Sequence, residues 1–339
     1  MIKIIVDCFG GDHCPDAPID GAIAALSDFD DLHIILTGDE SVLKAKLAER
    51  NYPGERISVV HAPQVIDCND KPTDAIRLKR DSSMMKGIMM LRDDDTVSGL
   101  VSAGSTGALV TGSLIRLGRL KGVIRPAFCP VLPTMNGGIV GICDSGANVE
   151  ADADMLRQFA IMGSIYMETV YGVKSPRVTL LNVGVEAEKG DTLRQETYRL
   201  LQETEGLNFV GNMESRDLLS GKYDLVVCDG FAGNVLVKTT EGTALELLGM
   251  LKKSIFSRTV YKIGALFMKK MFADMKEFMN YQNYGGSVLI GTSKVVVKGH
   301  GSSKARAIEK CIEQAYRMQT GAIGPRIETE ISKYAHYEE

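Results

Sequence analysis

The chain has 339 residues, 45% of them hydrophobic and 24% charged, with a net charge of −4. This is an ordinary globular composition and gives no reason to expect nucleic acid as a partner. No run approaches the roughly 18 apolar residues of a membrane span, and the start MIKIIVDCFGGD is too short for a signal-peptide core. Seven scattered cysteines without a C-x-x-C pair suggest reduced thiols in a cytoplasmic protein, with no structural zinc site. The length admits one large domain or two lobes; we expect a single α/β domain over residues 1–339.

Residues 2–6 read as a buried strand, followed by Gly10, Gly11, Asp12 and His13 and a helix around residues 19–26. Strands are expected at 33–37 and 57–61, with a helix over 41–50 between them. Pro72 and Thr73 open a long helical region through Leu91, its methionines serving as core filler. One grammar then repeats. Residues 99–102 lead into AGSTG at 103–107 and a helix through Leu117, and residues 139–143 into DSGAN at 144–148 and a helix from about Asp154. Residues 178–182 lead into Gly184 and a helix around 192–203, and residues 225–228 into DGFAGN at 229–234 and a helix through Leu251. Residues 294–298 lead into GHGSS at 299–303 and a helix capped by Ser302 or Ser303.

At least six strand–loop–helix units predict an α/β fold, mostly a parallel sheet with helices on both faces. Right-handed crossovers put all these loops at the carboxyl edge of the sheet, where such folds bind ligands. The loops at 10–13, 102–107, 144–148, 182–184, 229–234 and 300–303 should therefore converge. The stretch 223–242, YDLVVCDGFAGNVLVKTTEG, carries the idea best. A strand, a glycine-rich turn and a helix start aim free N–H groups and the positive end of a helix dipole at an anion. The competing reading of Asp-Gly is the turn of a β-hairpin.

Residues 251–279 break the pattern. Val260, Ile263, Phe267, Met271, Met275 and Phe278 fall on one helical face, and Lys262, Lys269 and Lys276 on the other. Between Met250 and Asn280 seven Lys and Arg stand against two Asp and Glu, in a chain that is acidic overall. Such a helix can lie on an anionic membrane, pair with its copy in a dimer, or pack as an ordinary surface helix.

P-loop, nucleophile-elbow and zinc-protease motifs are absent. Cys8, Cys14, Cys143 and Cys228 read as buried structural thiols, His33 and His61 as structural, and His336 falls in the polar tail. What remains near the predicted edge is amides, two loop histidines (His13 and His300), Asp12, Asp144, Asp229 and Lys238. That inventory suits a reaction whose nucleophile is already an anion, such as inorganic phosphate, which needs neutralising, orienting and an oxyanion site.

The sequence closely resembles the bacterial acyl-[acyl-carrier-protein]:phosphate acyltransferases of phospholipid synthesis. The matching runs are VDCFGGDHCPD at the start, RDSSM at 80–84, SAGSTGAL at 102–109, RPAFCPVLPT at 125–134 and DSGANVEAD at 144–152. LLNVGVEAEKGD at 180–191, CDGFAGNVLVKTTEG at 228–242 and YGGSVLIGTSKVVVKGHGSS at 284–303 continue them across essentially the whole chain. Three departures show: Cys8-Phe9 replaces Ala-Met, Ser105 replaces Asn, and Ser145 replaces Val.

The resemblance implies transfer of a fatty acyl group from acyl carrier protein to inorganic phosphate, with neither metal nor cofactor and no covalent enzyme intermediate. It implies an isocitrate/isopropylmalate dehydrogenase-like fold with residues 243–282 as a helical dimerisation or membrane-contact insertion. It also implies a homodimer associated peripherally with membrane, whose product passes to a membrane glycerol-3-phosphate acyltransferase. On this reading Lys238 and His300 balance charge and Asp12 or Asp229 orients them. Phosphate and the thioester carbonyl would be held by Gly10, Gly11, His13, Ser102, Gly104, Thr106, Gly107, Asn148, Asn182, Gly233 and Asn234. A short-chain phosphotransacetylase, a nicotinamide-dependent dehydrogenase of the same fold and a phosphate-sensing lipid-binding regulator are the rival readings.

Overall fold

The computed structural model describes residues 1–278 and 281–334, with side chains except at 276–278, 281 and 282. Met279, Asn280 and His336, and the side chains of Lys276 and Phe278, therefore lie outside the described part. The first half runs β1 (Ile2–Asp7), α1 (Asp16–Asp28), β2 (Leu32–Gly38), α2 (Glu40–Ala48), β3 (Ile57–His61), α3 (Pro72–Leu78), α4 (Ser83–Asp93), β4 (Val97–Ser102) and α5 (Thr106–Arg116). Next come β5 (Ala127–Cys129), β6 (Val131–Pro133), β7 (Ile139–Cys143), α6 (Ala153–Tyr171), β8 (Val178–Asn182), α7 (Thr192–Gln202), β9 (Phe209–Glu214) and β10 (Leu225–Val227). The chain then forms α8 (Gly230–Phe256), α9 (Thr259–Phe267), α10 (Lys269–Phe278), β11 (Ser287–Ile290), β12 (Val295–Lys298), α11 (Ala305–Thr320) and α12 (Ile323–Ser332).

The α/β class and the mostly parallel pairing are as expected, but the strands form two sheets. One has seven strands in the order β3-β2-β1-β4-β12-β11-β5, and the other five in the order β6-β7-β10-β8-β9. Among the strands of the described residues, β11 pairs antiparallel with β12 and β5, and β6 with β7. The chain changes sheet at Pro130, between β5 and β6, because proline lacks the N–H that a continuing ladder needs.

Local chemistry explains most helix starts. Asp39, Ser82, Asp152, Asp191 and Asp229 each accept backbone N–H bonds at the head of α2, α4, α6, α7 and α8. The cap at Ser82 also divides the long helix expected over residues 72–91 into α3 and α4. At α11 neither Ser302 nor Ser303 is the cap: the helix opens after Lys304, without a side-chain cap bond.

Helix α6 ties the sheets together, touching β7 and β10 of one and β11 of the other. Its Phe159 and Tyr166 are fully buried within an apolar cluster that also holds Ile4 and Val297 of the first sheet and Val178 and Val227 of the second. Cys8, Cys143 and Cys228 are buried as expected, while Cys14 is only half-buried.

The segment after residue 250 is not one amphipathic helix. The last turns of α8 are followed by two short helices, broken at Ser257–Arg258 and again at Met268. Lys262 and Lys269 line a hollow of about 710 Å³ with Leu251, Phe256, Ile263 and Phe272, while Val260, Phe267 and Met271 of the expected apolar face are not part of it. Among the described residues no helix is long and apolar enough to cross a membrane.

Candidate active site

Register brings three polar side chains into line where β1, β4 and β12 end. Asp7 pairs with Ser102, and Ser102 pairs with Lys298 on its other side. All three are buried. The Ser102 hydroxyl donates to Asp7 Oδ2 at 2.6 Å and accepts from Gly104 N at 3.1 Å. Burial pushes the Asp7 carboxyl above its ordinary range, against the hydrogen bonds from Ser102, Ser83 and Phe9 N.

Beyond this row lies a cavity of about 500 Å³. Its wall is built from both sheets: Thr106 at the start of α5, Ser145 and Gly146 after β7, Asn234, Lys238 and Glu241 on α8, and Lys298, His300 and Gly301 at and after the end of β12. The positive end of α5 therefore meets the cavity at Thr106. Ser302 N donates to His300 Nδ1 at 3.2 Å, which leaves the proton of a neutral ring on Nε2. Burial raises the Glu241 carboxyl, with His300 and Lys238 pulling the other way.

The glycine loops close around this wall by direct contact. A Cβ on Gly10 would meet Gly104 N at 2.5 Å, so only glycine fits where those two loops touch. Asp12 N donates to Gly301 O at 2.8 Å, fastening the first loop to the last. Gly146, at φ +103°, passes beside the Asn234 side chain, and Gly230 N donates to Asn148 O at 2.7 Å. The Gly10, Asn148 and Asn234 neighbourhoods thus belong to one connected cluster.

Of the residues singled out from sequence, Thr106, Asn234, Lys238 and His300 line the cavity. The others stand behind or beside it. Gly10, Gly11, Gly104 and Asp12 form the contacts between loops, while Gly107 lies against Pro72 and Gly233 against Asp144 O. Exposed His13 contributes its carbonyl to Ala17 N. Asn148 spends its amide N–H groups on Pro126 O and Asp144 Oδ2. Asn182 bonds its own strand-end loop at Val183 N and Lys189 O.

The helix start at Gly230 is not the free anion site expected. The β-hairpin alternative fails, since β10 runs directly into α8, but three of the first four amides of α8 are already taken. Gly230 N bonds Asn148 O, Ala232 N bonds Asp229 Oδ1 and Gly233 N bonds Asp229 O. Asp229 is moreover paired with Arg194. Its carboxylate already faces the helix dipole, so it holds α8 in place and its position does not suit orienting Lys238 or His300.

The comparisons with known proteins fit this arrangement. A family model described as "Fatty acid synthesis protein" matches residues 2–323. The phosphate acyltransferase of Bacillus subtilis (strain 168) is 44% identical over 334 residues, 98% of either chain. The phosphate acyltransferase of Clostridium tetani (strain Massachusetts / E88) is also 44% identical, over 97% of this chain and 98% of its own. The chain belongs to the phosphate acyltransferase family. It is an acyltransferase of lipid biosynthesis. Among solved structures, a phosphotransacetylase from Streptococcus pyogenes superposes with TM-score 0.62 at 15% identity, over 94% of each chain. The EutD phosphotransacetylase from Staphylococcus aureus gives 0.59 at 18%, over 93% of this chain and 94% of its own. At these identities the likeness establishes the fold alone.

Three charged residues of this acyltransferase site escaped the sequence reading: Glu241 on the cavity wall, Arg194 and Lys298. Arg194 sits on α7 and reaches Asp229 across 35 positions. Lys298 ends the apolar run VVVK, and its Nζ donates to the backbone carbonyls of Gly299 and Ala103 at the cavity wall. Burial lowers its pKa to about 8. The only sequence signal was a lysine closing a buried strand ahead of a glycine loop. Among the described residues no group of three or more His, Cys, Asp or Glu could hold a metal ion.

Proposed function

We propose that this acyltransferase moves a fatty acyl group from an acyl carrier protein thioester to inorganic phosphate, making acyl phosphate for phospholipid synthesis. The observation that carries the reading is the composition of the cavity: Lys238, Lys298, His300, Asn234 and the head of α5 supply positive charge and donors from both sheets. The nearby thiols do not supply a nucleophile, because burial drives Cys143 and Cys228 well above the usual thiol range. Phosphate brings its own.

One phosphate oxygen attacks the thioester carbonyl carbon, and the π pair moves onto the carbonyl oxygen. Collapse then breaks the C–S bond and expels the carrier thiolate. A thiol pKa of about 8.5 makes that leaving group good without an acid, and the thiolate takes its proton from solvent. Thr106 and Asn234 hold the oxyanions, while Lys238 and His300 balance charge. Gly10, Gly11, Gly104, Gly107 and Gly233 act by letting the loops approach. Ser102, Asn148, Asn182 and Asp229 brace those loops, Asp12 fixes the loop at Gly301, and His13 stands at the rim. The reaction on this reading uses neither metal nor cofactor.

The same proposal takes residues 1–339 as one domain of isocitrate/isopropylmalate dehydrogenase type. Residues 243–282 are its contact with a second copy or an anionic membrane, where a glycerol-3-phosphate acyltransferase receives the product of a cytoplasmic enzyme. Val260, Phe267 and Leu266, each more than 70% exposed beside the lysines of α9 and α10, support that assignment. The test is release of free carrier thiol from palmitoyl carrier protein. Release that rises and saturates with phosphate supports the proposal, and release that requires glycerol-3-phosphate and ignores phosphate contradicts it. Parallel assays with acetyl-CoA separate it from short-chain phosphotransacetylase chemistry.

A further inference from the structure

We infer that Lys298 is the residue that seats the phosphate, contacting it directly through Nζ from the floor of the cavity. The inference rests on the reaction proposed above and adds a catalytic residue to it.

The geometry is specific. Lys298 is the last residue of β12, beside Ser102 and one strand further from Asp7. It is 9% exposed, whereas Lys238, His300 and Thr106 on the same wall are exposed to solvent. Its ammonium carries three protons. The protein atoms that receive them are two carbonyl oxygens, of Gly299 and of Ala103, the latter at 3.5 Å. Among the described residues no carboxylate lies within ion-pair distance of Lys298 Nζ, although most lysines that close an ion pair here do so on the solvated surface.

A cation taken out of water without an ion-pair contact is costly, and the protein keeps one at the wall of a cavity of suitable size. An anion arriving there regains in one contact what desolvation cost, and Coulomb attraction is strongest where water is excluded. The exposed Lys238 cannot supply this, since its charge is screened by solvent. Two carbonyls hold the amine, which has a third donor and lines the cavity. A dianionic tetrahedral ligand is the match, because a neutral thioester carbonyl would not offset the charge.

Burial dominates the titration of Lys298, and the groups that face it pull the other way. Asp7 comes from β1, Asp12 from the following loop, Cys68 from the loop after β3 and Cys311 from α11. His300, Lys238 and Glu241 share the cavity. Cys311 is pushed up to about 12 by burial and stays a neutral thiol. Asp7, bound to Ser102, and Asp12 draw Lys298 back towards its charged form, against the effect of burial. With its own value near 8, Lys298 loses the proton that phosphate needs as pH rises through that value.

The experiment uses the full-length enzyme with Lys298→Met and Lys298→Arg. Thiol release from palmitoyl carrier protein is measured against phosphate and against carrier concentration, from about pH 6 to 10. We expect Lys298→Met to lower kcat/KM for phosphate by about 100-fold, with KM for the carrier within about twofold. We expect wild type to lose kcat/KM for phosphate above pH 8, and Lys298→Arg, which does not titrate in this range, to lose that alkaline limb. Thermal melts supply the second readout: inorganic phosphate raises the wild-type Tm and leaves that of Lys298→Met unchanged, while Lys298→Met alone melts no lower than wild type. Unchanged phosphate kinetics in Lys298→Met, or an alkaline limb that survives in Lys298→Arg, overturns the inference. If wild type releases thiol without phosphate, the reaction itself is wrong, and the phosphate-induced Tm shift still decides whether Lys298 holds the anion.

Discussion

Helices α6 and α9 have similarly apolar sequences and opposite fates. In α6 Phe159 and Tyr166 are fully buried between strands of both sheets. In α9 no residue is buried, and Phe267 is 88% exposed. Periodicity describes a helix face and does not say what covers it. The α6 face is answered within the chain, by Val178, Leu225 and the strands of the other sheet. Among the described residues the α9 face packs chiefly against α8 and α10. Apolar area left open on that scale favours a second surface, which is why we assign it to a second copy or a membrane.

The sharpest way to break this comparison is to truncate the buried side. Phe159→Ala should cost about 3–5 kcal/mol in urea unfolding, since it opens a cavity where both sheets meet. A cost under about 1 kcal/mol would mean that α6 does not join them. Next in size is the cavity wall. Asn234→Ala should lower kcat/KM for phosphate by about 10²–10³-fold, the equivalent of about 2.7–4 kcal/mol, with Tm unchanged. A loss confined to Tm would make Asn234 a brace like Asn148.

A smaller effect follows from the buried row. The folded Asp7 carboxyl is held above its ordinary value of 3.8, mainly by burial. The unfolded chain therefore gives up that proton first as pH rises. Stability contributed by neutral Asp7 is present at low pH and declines above 3.8, until the folded group also ionises. Asp7→Asn should flatten this decline in melts taken from acid to neutral pH, and an unchanged slope would place the linkage elsewhere. The smallest effect on stability belongs to the exposed side. Phe267→Glu with Met271→Glu should shift unfolding by less than about 0.5 kcal/mol and leave thiol release intact. Liposome sedimentation or dimerisation should fall; if both hold at wild-type level, α9 and α10 are ordinary surface helices.

These two regions also show what could be read in advance. Apolar runs such as IKIIV and LVVC exposed nearly every central parallel strand, because burial on two faces leaves a continuous hydrophobic signature. Short β5, β6 and β11 and the half-exposed β9 carry no long run of that kind, so the division into two sheets stayed hidden. Convergence of the glycine loops was legible, since glycine marks places where backbones touch. Which loop residue reaches the cavity was not. The Asp229 carboxylate looked catalytic in sequence, and only the fold reveals Arg194 beside it. Lys298 went unremarked for the converse reason. At the end of VVVK it resembles a strand terminus, and that its Nζ bonds backbone carbonyls instead of closing an ion pair among the described residues is visible only in three dimensions.

The central claim is that loops from both sheets enclose one seat for a tetrahedral anion. Diffraction from crystals of the full chain soaked in inorganic phosphate tests it most directly. The account predicts tetrahedral density within hydrogen-bond reach of Lys298 Nζ and the Asn234 side chain. Phosphate bound at the head of α8 beside Gly230, with the cavity unfilled at saturating concentration, would contradict it.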